Sequence, residues 1–431
     1  MMWHTNPNIT SNQQVLFCHP GVPPFAQQAA RALYEADLLA QYVTTFAYQP
    51  SSRLGRMLRL ALRPVFRDPE RELQRRIITE IPEALVQTYP WPELVHMAVV
   101  RLSIHRVIES YVWEFAERWF SRYVANQRLD NLRAVYCYQH AALEPFLAAK
   151  QQGVKCLYDQ PIAHHQTLKT LIEHELALFP QLLTTTDRHL HTQVSRRNAQ
   201  TDEELLLADC IFTGSSFTKQ SLIEHGVNPT RVTVMPLGAP PVVAQVKPRS
   251  QQPVIILCAG TQSVRKGVHY LLDAWRRLRP GSGAELWLVG RMQLPEALLA
   301  DLPGTVVIKP SVPRSELYEL YERASVLVFP SLAEGFGQVI TESMAHGLPV
   351  ITTPNTAGPD LITNGVDGMI VPIRNADALA EALTWALEHP VELAAMGHAA
   401  WRTAQAHQWS AYRSKLATEV MQQLVADPAN V

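Results

Sequence analysis

The sequence lacks several features that would identify common classes of protein. It has no Cys-x-x-Cys pair, and each of its five cysteines stands in or beside an apolar run, which predicts buried thiols in a reducing compartment. No stretch approaches the roughly 18 apolar residues of a membrane span, and residues 1–14 have no signal-peptide pattern. The formal net charge is only -1, so no global field favours nucleic acid or an anionic membrane. These absences predict a cytoplasmic protein that does not bind nucleic acid.

Phosphate and metal signatures are missing as well. The chain contains neither the G-x4-G-K sequence of a P-loop nor the G-x-G-x-x-G fingerprint, and the second absence disfavours a dehydrogenase. Histidines 164, 165, 174, 189 and 191 fall close together, but their spacing fits no zinc signature. We therefore expect no metal site.

What the sequence does contain is a regular alternation of strand and helix patterns. Short β-rich runs such as "PVIILCAG" and "SVLVFPS" are often followed by helical spacing, which predicts parallel sheets with crossover helices. With 431 residues and a Pro- and Gln-rich linker at 241–253, the chain is expected to form two α/β domains. The first would span 1–240 with a helical insert at about 53–128, and the second 254–409.

The stretch "AEGFGQVITESMAHGLPVI", residues 333–351, follows a buried strand and leads into a helix. Gly335 and Gly337 allow the backbone to approach a ligand closely, and the first N–H groups of the helix suit an anion or sugar hydroxyls. Glu334 lies in the loop and Glu342 about one turn into the helix, so the two carboxylates can contact different parts of one extended ligand. The alternative is a solvated loop and an exposed helix residue.

This stretch resembles the signature of glycosyltransferase family 4, E-x-F-G-x4-E, in the GT-B architecture of two Rossmann-like domains facing across a cleft. The resemblance implies that Glu342 holds the ribose of a nucleotide and that Glu334 faces the transferred sugar, together with the backbone of Gly335, Phe336, Gly337 and Gln338. The segment "QWSAYRSKLATEVMQQL" looks like the closing helix of that family, expected at 410–431, which crosses back to the N-terminal domain.

A second match is "CAGTQSVRKGVHYLLDAW", residues 258–275. Family 4 enzymes carry a Lys six residues after the strand-end glycine, and Lys266 occupies that place after Gly260. Many members also carry an Arg directly after the glycine, where this chain has Thr261, so Arg265 either shares the diphosphate contact or that contact is missing. A solvated basic pair is the alternative.

The N-terminal half matches more loosely. Gly21 in "FCHPGVPPFAQQAARAL" stands where the family has its first glycine loop, which implies a close approach to the donor. In "LYDQPIAHH", Asp159 ends a strand and His164 follows, and the family usually has a polar residue, often His, near the sugar at this point. Asp159 and His164 therefore join Glu334 as candidate catalytic residues; for Asp159 and His164 a helix cap and a polar loop are the alternatives.

The segment 53–67, "RLGRMLRLALRPVFR", places apolar residues on one helical face and arginines on the other. It could lie on an anionic bilayer at the inner face of the membrane and present a lipid-linked acceptor, or pack its apolar face inward.

Taken together, the resemblance implies retaining transfer of a sugar from a nucleotide diphosphate donor to a glycan, lipid-linked or small-molecule acceptor. No metal or other cofactor is expected. A binding protein of the same fold that has lost catalysis is the alternative, supported by Thr261 and the single-glycine first loop.

Overall fold

A computed structural model of the chain describes residues 14–48, 73–74, 76–101, 106–182, 197–248 and 253–425. The basic segment 53–67 and residues 426–431 of the expected closing helix lie outside these ranges. No helix in the described part of the chain combines the length and apolar character that a membrane span requires. The five cysteines are buried and free, as predicted.

Seven parallel strands form the sheet of the N-terminal half, in the order β3-β2-β1-β4-β5-β6-β7. Alternate residues of β1 pack into different cores: Val15 and Phe17 into one, Leu16 and Cys18 into the other. Apolar side chains on both faces are what the near-continuous hydrophobic strand patterns predict. The strands are β1 (Val15–Cys18), β2 (Leu39–Thr44), β3 (Val86–Thr88), β4 (Ala134–Tyr138), β5 (Lys155–Gln160), β6 (Cys210–Thr213) and β7 (Val232–Val234).

Helices connect these strands on both faces of the sheet. The strand β3 lies within the insert predicted to be helical, which is therefore not helical throughout; three residues between turns give too weak a period to recognise. The helices are α1 (Pro24–Glu35), α2 (Trp91–Arg101), α3 (Arg106–Ala125), α4 (Leu143–Gln151), α5 (His165–Leu178), α6 (197–207) and α7 (Ser216–Glu224).

The C-terminal half contains a second parallel sheet of six strands, in the order β10-β9-β8-β11-β12-β13. Its strands are β8 (Val254–Ala259), β9 (Ala284–Val289), β10 (Thr305–Lys309), β11 (Val326–Phe329), β12 (Val350–Thr352) and β13 (Gly368–Ile370). Its helices are α8 (Val268–Leu278), α9 (Arg314–Arg323), α10 (Gln338–Ala345), α11 (Gly358–Leu361), α12 (Ala376–Glu388) and α13 (Pro390–Ala406). Two parallel α/β sheets confirm the predicted fold class, whereas the exact domain bounds remain a prediction.

The last helix, α14 (Trp409–Val425), returns to the N-terminal half. Its apolar residues Tyr412, Leu416 and Val420 lie in the same core as α1 and β1. From the same helix, the Arg413 guanidinium donates to the Glu35 carboxylate at 2.7 Å. The expected closing helix is therefore confirmed over its described residues.

A buried ionic cluster joins the two halves. Glu175 of α5 is fully buried and accepts hydrogen bonds from His269 Nε2 at 3.0 Å and Tyr270 Oη at 2.9 Å. The Arg374 guanidinium pairs with the same carboxylate and also donates to the Leu171 carbonyl at 3.0 Å. Burial alone would raise the pKa of Glu175, but its three donors lower it below the ordinary value. The carboxylate of one half thus depends on donors from the other.

Candidate active site

A cavity of about 490 Å³ lies between the two halves, at the carboxyl ends of the strands. The N-terminal half contributes Asp159 near the carboxyl end of β5, and Thr213 and Gly214 at the end of β6. The C-terminal half contributes Glu334, predicted to be catalytic, and most of the predicted donor-binding residues: Arg265, Lys266, Gly335, Phe336, Gly337, Gln338 and Glu342. Sequence-distant residues expected to bind one ligand therefore line one cavity.

Gly335 and Gly337, in the 333–338 loop, are each required for a different physical reason. Gly337 precedes α10 with φ of 92°, in the left-handed region that favours glycine. A Cβ on Gly335 would fall 1.7 Å from the carbonyl oxygen of Pro161, which belongs to the N-terminal half. The two halves thus touch at this loop, and the first N–H groups of α10 stand at the cavity wall.

Glu334 pairs with both basic residues of the predicted diphosphate site. Its Oε1 lies 2.5 Å from Lys266 Nζ and also bonds the Arg265 guanidinium. Arg265 donates further to the Ala333 carbonyl at 2.7 Å, which fixes the guanidinium against the loop. Glu334 therefore supplies the negative charge that stabilises the two cations in this structure.

Lys266 is the more enclosed of the two cations. Burial lowers the pKa of its ammonium group, and the nearby Glu334 carboxylate opposes part of that shift. The ammonium also lies 4.6 Å from the ring centroid of Phe329, the last residue of β11. This is a desolvated cation, which attracts a phosphate more strongly than an exposed one does.

Glu342 lies on α10 with 8% of its surface exposed. Arg314 Nη2 donates to its Oε1 at 3.0 Å, and Tyr321 Oη donates to its Oε2 at 3.3 Å. Burial raises the pKa of Glu342, while Arg314 and Tyr321 oppose the shift. Each carboxylate oxygen keeps a lone pair for a further donor, such as a ribose hydroxyl.

Asp159 approaches the same cavity from the N-terminal half. Tyr136 Oη donates to its Oδ2 at 2.9 Å. Burial raises the pKa of Asp159 to about 7, although the hydrogen bonds that the carboxyl group accepts act to lower it. Near neutral pH this carboxyl group exists in both forms, so it can accept or donate a hydrogen bond.

Two predicted residues do not line this cavity. Gly21 borders a second cavity of about 630 Å³, together with Thr45, Arg76 and Arg314. The Gly21 N–H donates to His19 Nδ1 at 2.9 Å, so this amide is already used within its own loop. Among the described residues Arg314 is shared by both cavities, which makes them neighbours.

His164 is buried at the start of α5. Its Nδ1 accepts from the Gln166 N–H at 3.2 Å, which caps the helix, and burial lowers the pKa of His164 to about 4. Its Nε2 lies 3.3 Å from Asp202 Oδ1, and His165 Nε2 lies 2.7 Å from the same atom. These three side chains are close enough to share a metal ion. A metal on His164 Nε2 would require the proton on Nδ1 and would break the cap, so the contacts suit the helix start better.

Sequence reasoning missed several cavity residues. Arg314 and Leu317 follow β10, and Phe25 and Tyr412 come from helices at opposite ends of the chain. For Arg314 a signal existed: it begins a helix directly after a strand of a parallel sheet, at the edge where ligands bind. Phe25 and Tyr412 depend on long-range packing that no local pattern reports.

Residues 252–389 match the family described as "Glycosyl transferases group 1". The chain is 31% identical over 213 residues to the MMP alpha-(1->4)-mannosyltransferase of Mycolicibacterium hassiacum, covering 48% of this chain and 50% of that protein. The chain thus spans about half the length of this curated relative. The resemblance to glycosyltransferases recognised in the sequence is confirmed.

Solved structures resemble the chain over nearly its full length. Sucrose-phosphate synthase from Thermosynechococcus elongatus has a TM-score of 0.61 at 19% identity, covering 96% of this chain and all (100%) of that one. HepE of Anabaena, in a complex with UDP, has a TM-score of 0.58 at 16% identity, covering 95% and 100%. At this identity the likeness shows the fold, which is GT-B.

Proposed function

We propose that the protein is a retaining glycosyltransferase that moves a sugar from a nucleotide diphosphate sugar to a glycan, lipid-linked or small-molecule acceptor. One observation carries the proposal: the cavity between the halves brings Glu342, Lys266, Arg265 and Glu334 together. These groups suit the ribose, the diphosphate and the sugar of one donor. The UDP bound to HepE, a protein of the same fold, supports a nucleotide donor.

In the proposed reaction, charge develops on the leaving diphosphate while the sugar passes through an oxocarbenium-like state. Lys266 and Arg265, with the first N–H groups of α10, would stabilise the leaving charge. Glu334 would face the sugar and its developing positive charge. No general acid is needed, since the departing phosphate can take the acceptor's proton, and no metal is required.

The N-terminal half is proposed to receive the acceptor. Asp159 would hydrogen-bond either a sugar hydroxyl or the acceptor, since it faces the donor residues across the cavity. The second cavity, which Gly21 and Arg314 both border, offers space for an acceptor next to the donor. The proposed location is the cytoplasm. The segment 53–67 is a candidate contact to an anionic membrane surface, with inward packing of its apolar face as the alternative.

Two measurements test this function. Mass spectrometry of small molecules retained by the purified protein would identify the nucleotide, and turnover of UDP- and GDP-sugars with a panel of acceptors would identify the transfer. Nucleotide-sugar binding without turnover on any acceptor would favour the alternative of a binding protein. Failure to bind any nucleotide would refute the proposal itself.

A further inference from the structure

Arg314 is the first residue of α9, and its guanidinium reaches the one carboxylate of α10 that lines the donor cavity. The Arg314 side chain is 50% exposed, whereas that of Glu342 is 10% exposed. The pair is therefore asymmetric: a solvated cation stabilises a nearly buried anion. Buried carboxylates without such a partner take up a proton instead of remaining charged.

We infer that Arg314 is a positioning residue for nucleotide binding, which keeps Glu342 ionised and oriented towards the ribose. The inference rests on the proposed function and adds a residue that the sequence motif does not contain. Arg314 has only donors, so it can bond the carboxylate form of Glu342 but offers nothing to stabilise a protonated oxygen.

The geometry around Glu342 explains why one cation is enough. Arg314 occupies one lone pair of Oε1 and Tyr321 occupies one of Oε2, so rotation of the carboxylate would break both bonds. The remaining lone pairs are then fixed for two vicinal hydroxyls. Without Arg314, a single phenol bond of 3.3 Å would hold the group.

Other titratable groups near Glu342 do not replace this cation. Burial raises the pKa values of Tyr318 and Tyr321, both on α9, so these phenols stay neutral across the working pH range. His346, which follows α10, bonds the backbone carbonyl of Glu342 through Nδ1 at 2.8 Å and contacts the Tyr318 ring. Any pH effect that came from His346 would persist in a Glu342→Gln variant, which distinguishes it from an effect that acts through Glu342.

The test compares Arg314→Gln with Arg314→Lys, Glu342→Gln and the double variant Arg314→Gln/Glu342→Gln. Arg323→Gln is the matched control, because Arg323 ends the same helix and stacks on Trp287 instead of lining either cavity. Affinity for the tightest binder among UDP, GDP, ADP and dTDP would be measured by calorimetry between pH 5.5 and 8.5. Protonation of the nucleotide phosphates affects all these proteins equally. Its effect therefore cancels when the affinity of each variant is divided by that of the wild type at the same pH.

We expect Arg314→Gln to bind within about threefold of the wild type at pH 8.5 and progressively more weakly as the pH falls. Loss of a nearby opposite charge raises a carboxyl pKa by roughly one unit or more, so the loss of affinity should approach about tenfold once the pH is below the pKa of Glu342 in both proteins. Arg314→Lys should restore most of the affinity at pH 6. In the Glu342→Gln background, Arg314→Gln should have no further effect.

An equal loss at every pH, or the same loss in the Glu342→Gln background, would overturn the inference, since Arg314 would then act directly or through the fold. Wild-type affinity in Arg314→Gln would also overturn it. These results leave the proposed function intact. A wild-type protein that binds none of the four diphosphates refutes the proposed function first, and the inference with it.

Discussion

Glu334→Gln should separate the two tasks of the donor site. The wild-type carboxylate neutralises Lys266 and Arg265, and a bound diphosphate would bring further negative charge to the same cations. Two unit charges about 6 Å apart repel by about 3 kcal/mol at an effective dielectric of about 20. Solvent and salt screen this repulsion, because Arg265 is about one third exposed (34%). About 1–1.5 kcal/mol of repulsion between the carboxylate and the diphosphate then remains. We therefore expect nucleoside diphosphate affinity to rise by about tenfold in the variant.

Transfer should change in the opposite direction. The neutral amide that replaces the Glu334 carboxylate in this variant cannot balance positive charge developing on the sugar, so we expect kcat to fall by about a hundredfold. Calorimetry with UDP and GDP, run beside turnover assays, measures both effects. Glu316→Gln is a suitable control, since Glu316 pairs with Lys309 at 3.7 Å outside the cavity. A loss of nucleotide affinity in Glu334→Gln would refute the reasoning, because the carboxylate would then bind the nucleotide instead of competing with it.

Three further changes give measurable outcomes. Lys266→Ala should weaken nucleotide binding by about tenfold to a hundredfold, because a charge-assisted phosphate contact contributes about 1.5–3 kcal/mol; unchanged calorimetric affinity would exclude the contact. Asp159 has a pKa of about 7 in the folded protein against an ordinary 3.8, so its protonated form is favoured by folding. As pH rises from about 4 to about 7, the free energy of unfolding of the wild type should therefore fall by about 2–4 kcal/mol relative to that of Asp159→Asn. Urea unfolding at both ends of that range checks the sign, and a parallel pH dependence in both proteins would contradict it. Gly335→Ala places a Cβ 1.7 Å from the Pro161 carbonyl oxygen, so it should push the halves apart. We expect a larger radius of gyration by small-angle X-ray scattering and loss of transfer; wild-type values for both would show that the contact is dispensable.

The fold was largely predictable because its strands are buried on both faces and therefore show as apolar runs. The runs "PVIILCAG" and "SVLVFPS" contain β8 and β11. In contrast, β3 (VQT) and β13 (GMI) are short and have no continuous run of β-branched or aromatic residues to mark them. The donor side of the site was predictable for a related reason. Glu334 and Glu342 belong to one loop and helix, so their spacing along the chain already fixes their relative position.

The rest of the site depends on contacts between distant parts of the chain. Arg314 meets Glu342 only because α9 packs beside α10, and the spacing of 28 residues carries no periodic signal. His164 has the residue type expected near a sugar, yet its ring caps α5 and bonds Asp202. Side-chain direction at the start of a helix is decided by capping and burial, which the residue name alone does not reveal.

The buried Glu175 cluster constrains how the two halves of this fold could be recombined with those of relatives. Replacing the C-terminal half with that of a relative, spliced within the linker, is a direct way to change the donor that a chimera accepts. The three side chains that bond Glu175 would all be replaced, because His269, Tyr270 and Arg374 belong to that half. A buried carboxylate left without partners costs about 3–5 kcal/mol, which is a large part of the stability of a typical domain. A working chimera therefore needs these three residues grafted into the incoming half, or Glu175 replaced by an apolar residue of similar volume.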